Sequence, residues 1–219
     1  MLMLAQMITW FPQLLAGARI TILLTICAVS MGLLLSIFLA LGKMSRNKVL
    51  SSICSAYIFF FRGTPLLMQL YFIYFGLPQI SMIFTINSRF LAAFIAFSLN
   101  SAAYCAEILR AAIQSIDKGQ FEASKALGLT KAQTMRLVIF PQSVRRLVPP
   151  VANEFIMVLK DASLVSIIAL ADLTKVTRAI SSSSGTALVY IPAMILYLIM
   201  TAFFEFVFHK MEARFSRYE

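Results

Sequence analysis

No charged residue occurs between Ile20 and Gly42, where the sequence reads ITILLTICAVSMGLLLSIFLALG. About 20 consecutive apolar residues are needed for a helix to cross the hydrocarbon core of a bilayer. This stretch is therefore predicted to be a membrane-spanning helix. A helix is the expected form because a lone spanning segment must satisfy its own backbone hydrogen bonds inside the bilayer.

Stretches of low charge recur along the rest of the chain, and each is predicted to hold a span. The segment 49–88 contains only one charged residue, Arg62, and must hold at least one span, whereas the span 147–171 is apolar but carries Glu154, Lys160 and Asp161. The remaining two are Phe90–Ala106 and Ala187–Phe204. The sequence thus predicts an all-α membrane protein with about five transmembrane helices.

Residues 1–19 are also uncharged up to Arg19, but they are not predicted to be a further span. Only Arg19 separates them from the Ile20 stretch, which leaves no room for a turn between two spans. Trp10 and Pro12 are typical of a segment at the membrane interface. We therefore expect an interfacial segment at 1–19 and one transmembrane domain at 20–219.

The composition agrees with a membrane protein and limits the possible partners. Of the 219 residues, 60% are hydrophobic and only 13% are charged, which excludes a soluble or a disordered chain. The net charge of +10 is compatible with nucleic acid, an anionic membrane surface, or positive loops beside spans. The three cysteines show neither a disulfide framework nor metal-ligand spacing, so no metal site is expected.

The positions of the basic residues favour the third explanation and predict an orientation. Most of them fall on one side of the predicted spans, which places the loop 110–147 and the C-terminus in the cytoplasm and the N-terminus outside. No nucleic-acid partner is needed to explain the charge. The cytoplasmic set is Lys43, Arg46, Lys48, Arg110, Lys118, Lys125, Lys131, Arg136, Arg145, Arg146, Lys210, Arg214 and Arg217, against Arg19, Arg89, Lys175 and Arg178 outside.

The loop 110–147 has helical signals of its own. Residues 120–127 suit a helix that Gly128 would stop, and Thr130 with Gln133 forms a capping-box pattern for a second helix that Pro141 would end. The sequence EASKALGLTKAQTMRLV resembles a DNA-binding helix-turn-helix, but about 40 residues held at the bilayer are too few for an independent core. The alternatives that remain are a docking element for a cytoplasmic partner and a simple connecting loop.

The same loop resembles the cytoplasmic loop of bacterial ABC importer permeases, whose pattern is E-A-A-x3-G-x9-I-x-L-P. Three positions depart from it modestly: Ser124 for Ala, Val138 for Ile and Phe140 for Leu. The resemblance implies that this loop contacts a separate ATPase dimer. The residues it assigns to that coupling are Glu122, Ala123, Ser124, Gly128 and Pro141.

Further motifs extend the resemblance over nearly the whole chain, to the polar amino-acid permeases of the histidine/glutamine type, with the glutamine permeases most similar. They are Arg62-Gly63-Thr64-Pro65 with Gln69; Asn100-Ser101, Tyr104, Ala106-Glu107-Ile108 and Arg110, with Ala111 where Gly is usual; Lys118-Gly119-Gln120; and Lys160-Asp161 with Ser163-Leu164. The resemblance implies the type I ABC importer permease fold, a second permease copy or a similar permease, and an extracytoplasmic binding protein. It implies no cofactor in this chain.

Charged residues at membrane depth are costly and usually functional. Glu154 and Asp161 lie seven positions apart, which places them about 20° from the same helical face. Two carboxylates could receive a substrate ammonium group, and Arg62 could receive its carboxylate. Thr64 and Asn100 complete the candidate substrate site. The alternative is that Arg62 or Lys160 neutralises the acidic residues and only fixes helix packing.

Two classes of function are compared on these features. The first is the permease subunit of an importer for polar amino acids, with ATP hydrolysed elsewhere, since Met44 stands where a P-loop needs Ser or Thr. The second is an ion channel or an intramembrane enzyme. The only histidine, His209, has no nucleophile beside it, and no filter loop is evident. No catalytic residue is therefore predicted.

Overall fold

The structure, a computed structural model, describes the backbone of residues 2–216 and the side chains of residues 9–214. Within residues 2–216 the chain is helical and contains no β-strand, which confirms the predicted all-α class. The helices are α1 Leu2–Lys43, α2 Lys48–Gly63, α3 Leu66–Tyr71, α4 Leu77–Ile80, α5 Arg89–Gln114, α6 Lys118–Ala126, α7 Lys131–Gln133, α8 Phe140–Asp161, α9 Leu173–Ser184 and α10 Tyr190–Ser216. Two π-helical segments, Phe72–Gly76 and Thr134–Ile139, and three 3₁₀ segments, Met82–Phe84, Ala162–Ile168 and Ala187–Val189, connect them.

Three helical stretches of the described chain are long and apolar enough to cross a membrane: Thr9–Lys43, Arg89–Gln114 and Ala187–Arg214. A fourth crossing is formed if Lys48–Gly63 and Leu66–Ile80, which are bent by 102°, count as one broken span. The helix α8 does not meet the same test of apolarity. It carries arginines at its start and ionisable residues near its end, so the total of five spans stays a prediction.

The first helix is continuous through Arg19, where the sequence suggested a boundary. It contains 42 residues, which corresponds to a length of about 63 Å. The hydrocarbon core is about 30 Å thick, so part of α1 must extend beyond it. The boundary at residue 19 is therefore not a break in the helix. The interfacial position of residues 1–19, which begin outside the described part of the chain, stays a prediction.

The centre of the fold is the contact between α1 and α5, where small residues let the two backbones approach closely. A Cβ atom added to Gly32 would lie 2.9 Å from Ser101 Cβ and Oγ and 3.1 Å from the backbone nitrogen of Ala102. Small residues are the usual means of close helix packing in membranes. On α5 the fully or almost fully buried ones include Ala92, Ala93, Ala96, Ala102, Ala103 and Ala106.

The short helix α9 is attached to the start of this core. Asp172 is fully buried and caps α9 by accepting hydrogen bonds from the backbone N–H groups of Thr174 and Lys175. The hydroxyl of Thr21 in α1 accepts a bond of 3.2 Å from the N–H of Leu173. A Cβ atom at Gly17 would lie 2.9 Å from the Asp172 carbonyl oxygen, so a glycine is needed for α1 to pass this close.

The loop between α5 and α8 confirms two of the local predictions. Gly128 ends α6 with φ of 75°, and the N–H of Leu129 donates to the Ser124 carbonyl at 3.0 Å. This is the left-handed helix stop that favours glycine. The capping box of Thr130 with Gln133 is also present.

The prediction that Pro141 ends the second loop helix is wrong. The chain continues through a π-helical segment, Thr134–Ile139, directly into α8, and Pro141 lies in the first turn of α8. Pro141 has no N–H and so leaves out one hydrogen bond where the π-helical segment joins α8, but Ile139 and Phe140 before it are in the right-handed helical conformation and the helix continues. The residues 131–161 therefore join the loop to the membrane helix without a break.

Candidate functional site

The predicted site residue Arg62 lies beside a sharp corner in the chain. Helix α2 ends at Gly63, and the 102° bend to α3 follows across Thr64 and Pro65. Non-helical backbone at membrane depth is tolerated only where its polar groups find partners in protein or water. The carbonyl groups that this corner leaves free therefore need donors from the protein or from water.

Two side-chain amides supply these donors. The carbonyl oxygen of Phe61 would accept from residue 65 in a continuous helix, but Pro65 has no N–H. Gln69 Nε2 donates to this oxygen at 2.9 Å, and Asn100 Nδ2 donates to it at 3.0 Å. Gln69 also donates to the carbonyl and the hydroxyl of Thr64, at 3.0 Å and 2.8 Å. The corner is thus held by hydrogen bonds from α3 and α5.

A cavity of about 330 Å³ lies at this corner. It is bounded by the end of α2, the start of α3, the middle of α5 and the second half of α8. All five residues predicted to form the substrate site line it: Arg62, Thr64, Asn100, Glu154 and Asp161. The other residues around it are Gly63, Pro65, Leu66, Tyr104, Met157 and Val158.

Thr64 and Asn100 are engaged with the protein itself. The amide nitrogen of Asn100 donates to Phe61 and, at 3.0 Å, to Gln69 Oε1. The hydroxyl of Thr64 donates to the Phe60 carbonyl at 2.8 Å. These two residues therefore support the corner. The missing N–H of Pro65 was the sequence signal that could have indicated this supporting role.

The two carboxylates on α8 form no ion pair with the side chains of residues 9–214. Glu154 is only 5% exposed, Asp161 is exposed, and both line the cavity. Among the described residues, the ion pairs with nitrogen and oxygen within 4.0 Å include neither carboxylate. The suggested pairing with Arg62 or Lys160 is thus absent at contact distance in this conformation. Both acids are positioned to meet a positively charged group in the cavity.

Arg62 belongs to a separate group of charges. Its guanidinium carbon lies 5.2 Å from the centre of the Tyr104 ring, a cation–π distance, and its Nη1 lies 3.9 Å from Glu107 Oε2. The side chain of Arg62 is 43% exposed. Because its contact with Glu107 is long, Arg62 is only loosely held and remains available to another anion.

Glu107 is the common acceptor of this group. Arg110, three residues further along the same helix, donates to it at 2.8 Å and 3.1 Å. Lys43, from the end of α1, donates to it at 2.5 Å. No local pattern in the sequence indicates this second contact, because the two residues are 64 positions apart.

The predicted coupling residues divide into two groups. Glu122, Ala123 and Gly128 are exposed on α6 and its end, and Pro141 is exposed at the start of α8. Ser124 is buried, and its hydroxyl donates to the Gln120 carbonyl at 2.7 Å, so it faces the rest of the protein. Phe121 and Leu127 add exposed apolar surface to α6. The exposed face of α6 is therefore both polar and apolar, as a docking surface requires.

The structure combines several membrane-crossing helices with a charged cavity at a broken helix and an exposed amphipathic helix in a loop. This combination defines a membrane transport subunit. The model of one family, described as "Binding-protein-dependent transport system inner membrane component", matches residues 32–217. The chain belongs to this family. It is accordingly a multi-pass protein of the inner membrane and the permease subunit of an ABC importer, with ATP hydrolysis in a separate subunit.

Individual relatives cover almost the entire chain. It is 39% identical to the L-cystine transport system permease protein TcyB of Bacillus subtilis (strain 168), over 96% of this chain and 89% of that protein. It is 35% identical to the glutamine transport system permease protein GlnP of Escherichia coli (strain K12), over 93% of each. A solved structure, "Crystal structure of an amino acid ABC transporter with histidines", matches with a TM-score of 0.90 and 42% identity, over 96% of this chain and 97% of that one.

These comparisons decide between the two classes of function considered. The predicted family and the type I ABC importer permease fold are confirmed, and the chain is a transport component and not an enzyme. Nothing in them supports an ion channel or an intramembrane enzyme. These relatives are named for cystine and for glutamine, so they do not single out one amino acid.

Proposed function

We propose that this permease translocates polar amino acids, and that the cavity at the α2–α3 corner is its substrate site. In this proposal the substrate carboxylate pairs with Arg62, and its ammonium group pairs with Glu154 and Asp161. Thr64 and Asn100 act by holding the corner in place. Relatives named for cystine and glutamine, and a similar solved amino-acid transporter, support this class of substrate.

The observation that carries the proposal is the placement of opposite charges around one cavity. A guanidinium group lies at the α2 corner and two carboxylates lie on α8, around about 330 Å³. An α-amino acid carries a carboxylate and an ammonium group on one carbon atom, so a site with both charges binds it better than a site with one. Charged groups in a partly dry site also interact more strongly than in water.

The proposed assembly contains two permease subunits, either two copies of this chain or this chain with a similar one. A cytoplasmic ATPase dimer would contact Glu122, Ala123 and Gly128 on the exposed side of α6. Ser124 and Pro141 would support that surface from behind and from the start of α8. An extracytoplasmic binding protein would deliver the substrate to the opposite face.

The proposed orientation has the N-terminus outside and the C-terminus in the cytoplasm, as the distribution of basic residues indicates. In this orientation α6 and the end of α1 with Lys43 lie on the cytoplasmic side, and α9 lies on the outer side. The transport cycle proposed here uses alternating access and no cofactor or metal held by this chain.

Reconstitution tests the proposal directly. The permease, its ATPase and its binding protein are placed in proteoliposomes, and ATP hydrolysis is measured with each polar amino acid in turn. We expect at least one of them to stimulate hydrolysis and to accumulate in the vesicles. If apolar amino acids or sugars stimulate hydrolysis and no polar amino acid does, the proposed substrate class is wrong.

A further inference from the structure

A second cavity, of about 350 Å³, adjoins the proposed substrate site. The two cavities share Arg62, Gly63 and Tyr104. The second cavity extends toward the end of α1, where it is bounded by Lys43 and, on α2, by Ser55. With the proposed orientation, it lies on the cytoplasmic side of the substrate site.

The charges around the second cavity do not balance. Three cations, Lys43, Arg62 and Arg110, are within 4.0 Å of a single carboxylate, that of Glu107. Arg110 already donates two hydrogen bonds to it. The group therefore has a formal net charge of +2, and two of its cations line the cavity. These cations are only partly buried, with exposed side-chain fractions of 27% for Lys43 and 43% for Arg62, so an anion can reach them from the cavity.

The two cavities are thus opposite in charge. The substrate site contains two carboxylates, Glu154 and Asp161, whereas the second cavity contains Lys43 and no acidic side chain in its lining. Arg62 lines both of them, with its guanidinium group against Tyr104. A ligand moving from the first cavity to the second would leave the carboxylates behind and gain a second cation.

We propose that the second cavity is an exit site that binds the carboxylate group of the substrate, with Lys43 as the residue that receives it from Arg62. This inference rests on the proposed function, since it deepens the path of the same substrate. Glu107 competes with the substrate for both cations, which keeps the exit site weak enough to release its ligand. The Arg62–Tyr104 pair separates the two positions.

The charge of the second cavity can be measured without transport. In an assembled complex whose permease has Cys27, Cys54 and Cys105 replaced by alanine, Ser55→Cys places a thiol in the cavity. The rates of its modification by a sulfonated and by a trimethylammonium methanethiosulfonate are compared. We expect the anionic reagent to be favoured by about tenfold. For Met157→Cys, in the substrate site, we expect the opposite preference.

Substitutions at the end of α1 test whether Lys43 causes the preference for the anionic reagent. Lys43→Gln should reduce it at the Ser55→Cys thiol severalfold, Lys43→Arg should preserve it, and Glu107→Gln should increase it. Arg46→Gln is the matched control, because Arg46 is an exposed cation of the same loop that lines neither cavity. Equal rates for the two reagents, or the same loss with Arg46→Gln, would overturn the exit site.

Sodium acetate supplies the carboxylate probe. At equal ionic strength, acetate should slow modification of the Ser55→Cys thiol by the sulfonated reagent more than chloride does, and Lys43→Gln should remove the difference. Equal slowing by both anions indicates a screened basic surface only and contradicts the proposal. Because none of these readouts requires ATP hydrolysis, failure of the exit site is distinguishable from failure of the proposed substrate class.

Discussion

Asn100 Nδ2 donates a hydrogen bond of 3.0 Å to the carbonyl oxygen of Phe61, whose regular helical donor is absent because residue 65 is a proline. The cavity that the charged residues share exists because the chain turns at this point. The contact between α5 and the α2–α3 corner therefore determines where Arg62 lies relative to α8.

The first prediction concerns this hydrogen bond. Asn100→Leu removes one of the two donors to the Phe61 carbonyl and the donor to the buried Gln69 Oε1, so we expect a loss of about 1–3 kcal/mol in the free energy of unfolding. This loss of stability is measured as a lower midpoint of thermal unfolding of the purified complex. Ser98→Ala is the control on the same helix, because the Ser98 hydroxyl has no hydrogen-bond partner among the described residues. A similar loss in both variants would contradict the role assigned to Asn100.

The second prediction concerns the approach of α1 to α5. Gly32→Ala adds a Cβ atom 2.9 Å from Ser101 and 3.1 Å from backbone, so the helices must separate. We expect a loss of about 1–3 kcal/mol, measured by thermal unfolding and by the yield of assembled complex. Gly63→Ala is the matched control, because no atom of the described residues lies within 4 Å of the added atom there. An unchanged midpoint for Gly32→Ala would show that α1 and α5 accommodate the added methyl group without loss of stability, which contradicts the prediction.

Much of this architecture could be predicted from the sequence because bilayers impose a length and an absence of charge on each span. The stretch from Ile20 to Gly42 is an example, and Gly128 is another, since its left-handed conformation follows from local chemistry. Pro141 shows the limit of local rules. Whether a proline ends a helix or begins the next one depends on the hydrogen bonds around it.

The candidate site could be predicted only in part. The five residues are polar groups at predicted membrane depth or members of family motifs, and all of them line one cavity. Their separate roles depend on contacts between distant segments, such as Asn100 with Phe61 and Lys43 with Glu107. Such contacts arise from packing, which no local pattern in the chain records.

The third prediction concerns the carboxylates of the substrate site. Asp161→Asn and Glu154→Gln should each reduce uptake at least tenfold, because an amide cannot offset the charge of a bound ammonium group. Assembly should be unchanged, since neither carboxylate forms an ion pair within the described protein. Uptake in proteoliposomes and co-purification of the ATPase are measured together.

Glu205→Gln provides the control for these carboxylates, because Glu205 is an exposed acid on α10 outside the substrate cavity. It should leave uptake unaffected. If Asp161→Asn or Glu154→Gln releases the ATPase, or if uptake falls only in proportion to assembly, the carboxylates serve packing and do not bind substrate.

The fourth prediction concerns the end of α6. Asparagine and aspartate both tolerate the positive φ of 75° that Gly128 adopts. In the part of the chain that the structure describes, no atom lies within 4 Å of a Cβ added there. Gly128→Asn and Gly128→Asp therefore differ in charge and little in backbone strain. We expect Gly128→Asp to abolish transport and to release the ATPase from membranes, because it buries an unpaired charge against the partner. We expect Gly128→Asn to retain most activity.

Sedimentation of the ATPase with membranes and uptake in the same vesicles measure the two effects. Normal uptake with Gly128→Asp would exclude a coupling role for this surface, whereas equal loss in both variants would assign the effect to bulk at the contact.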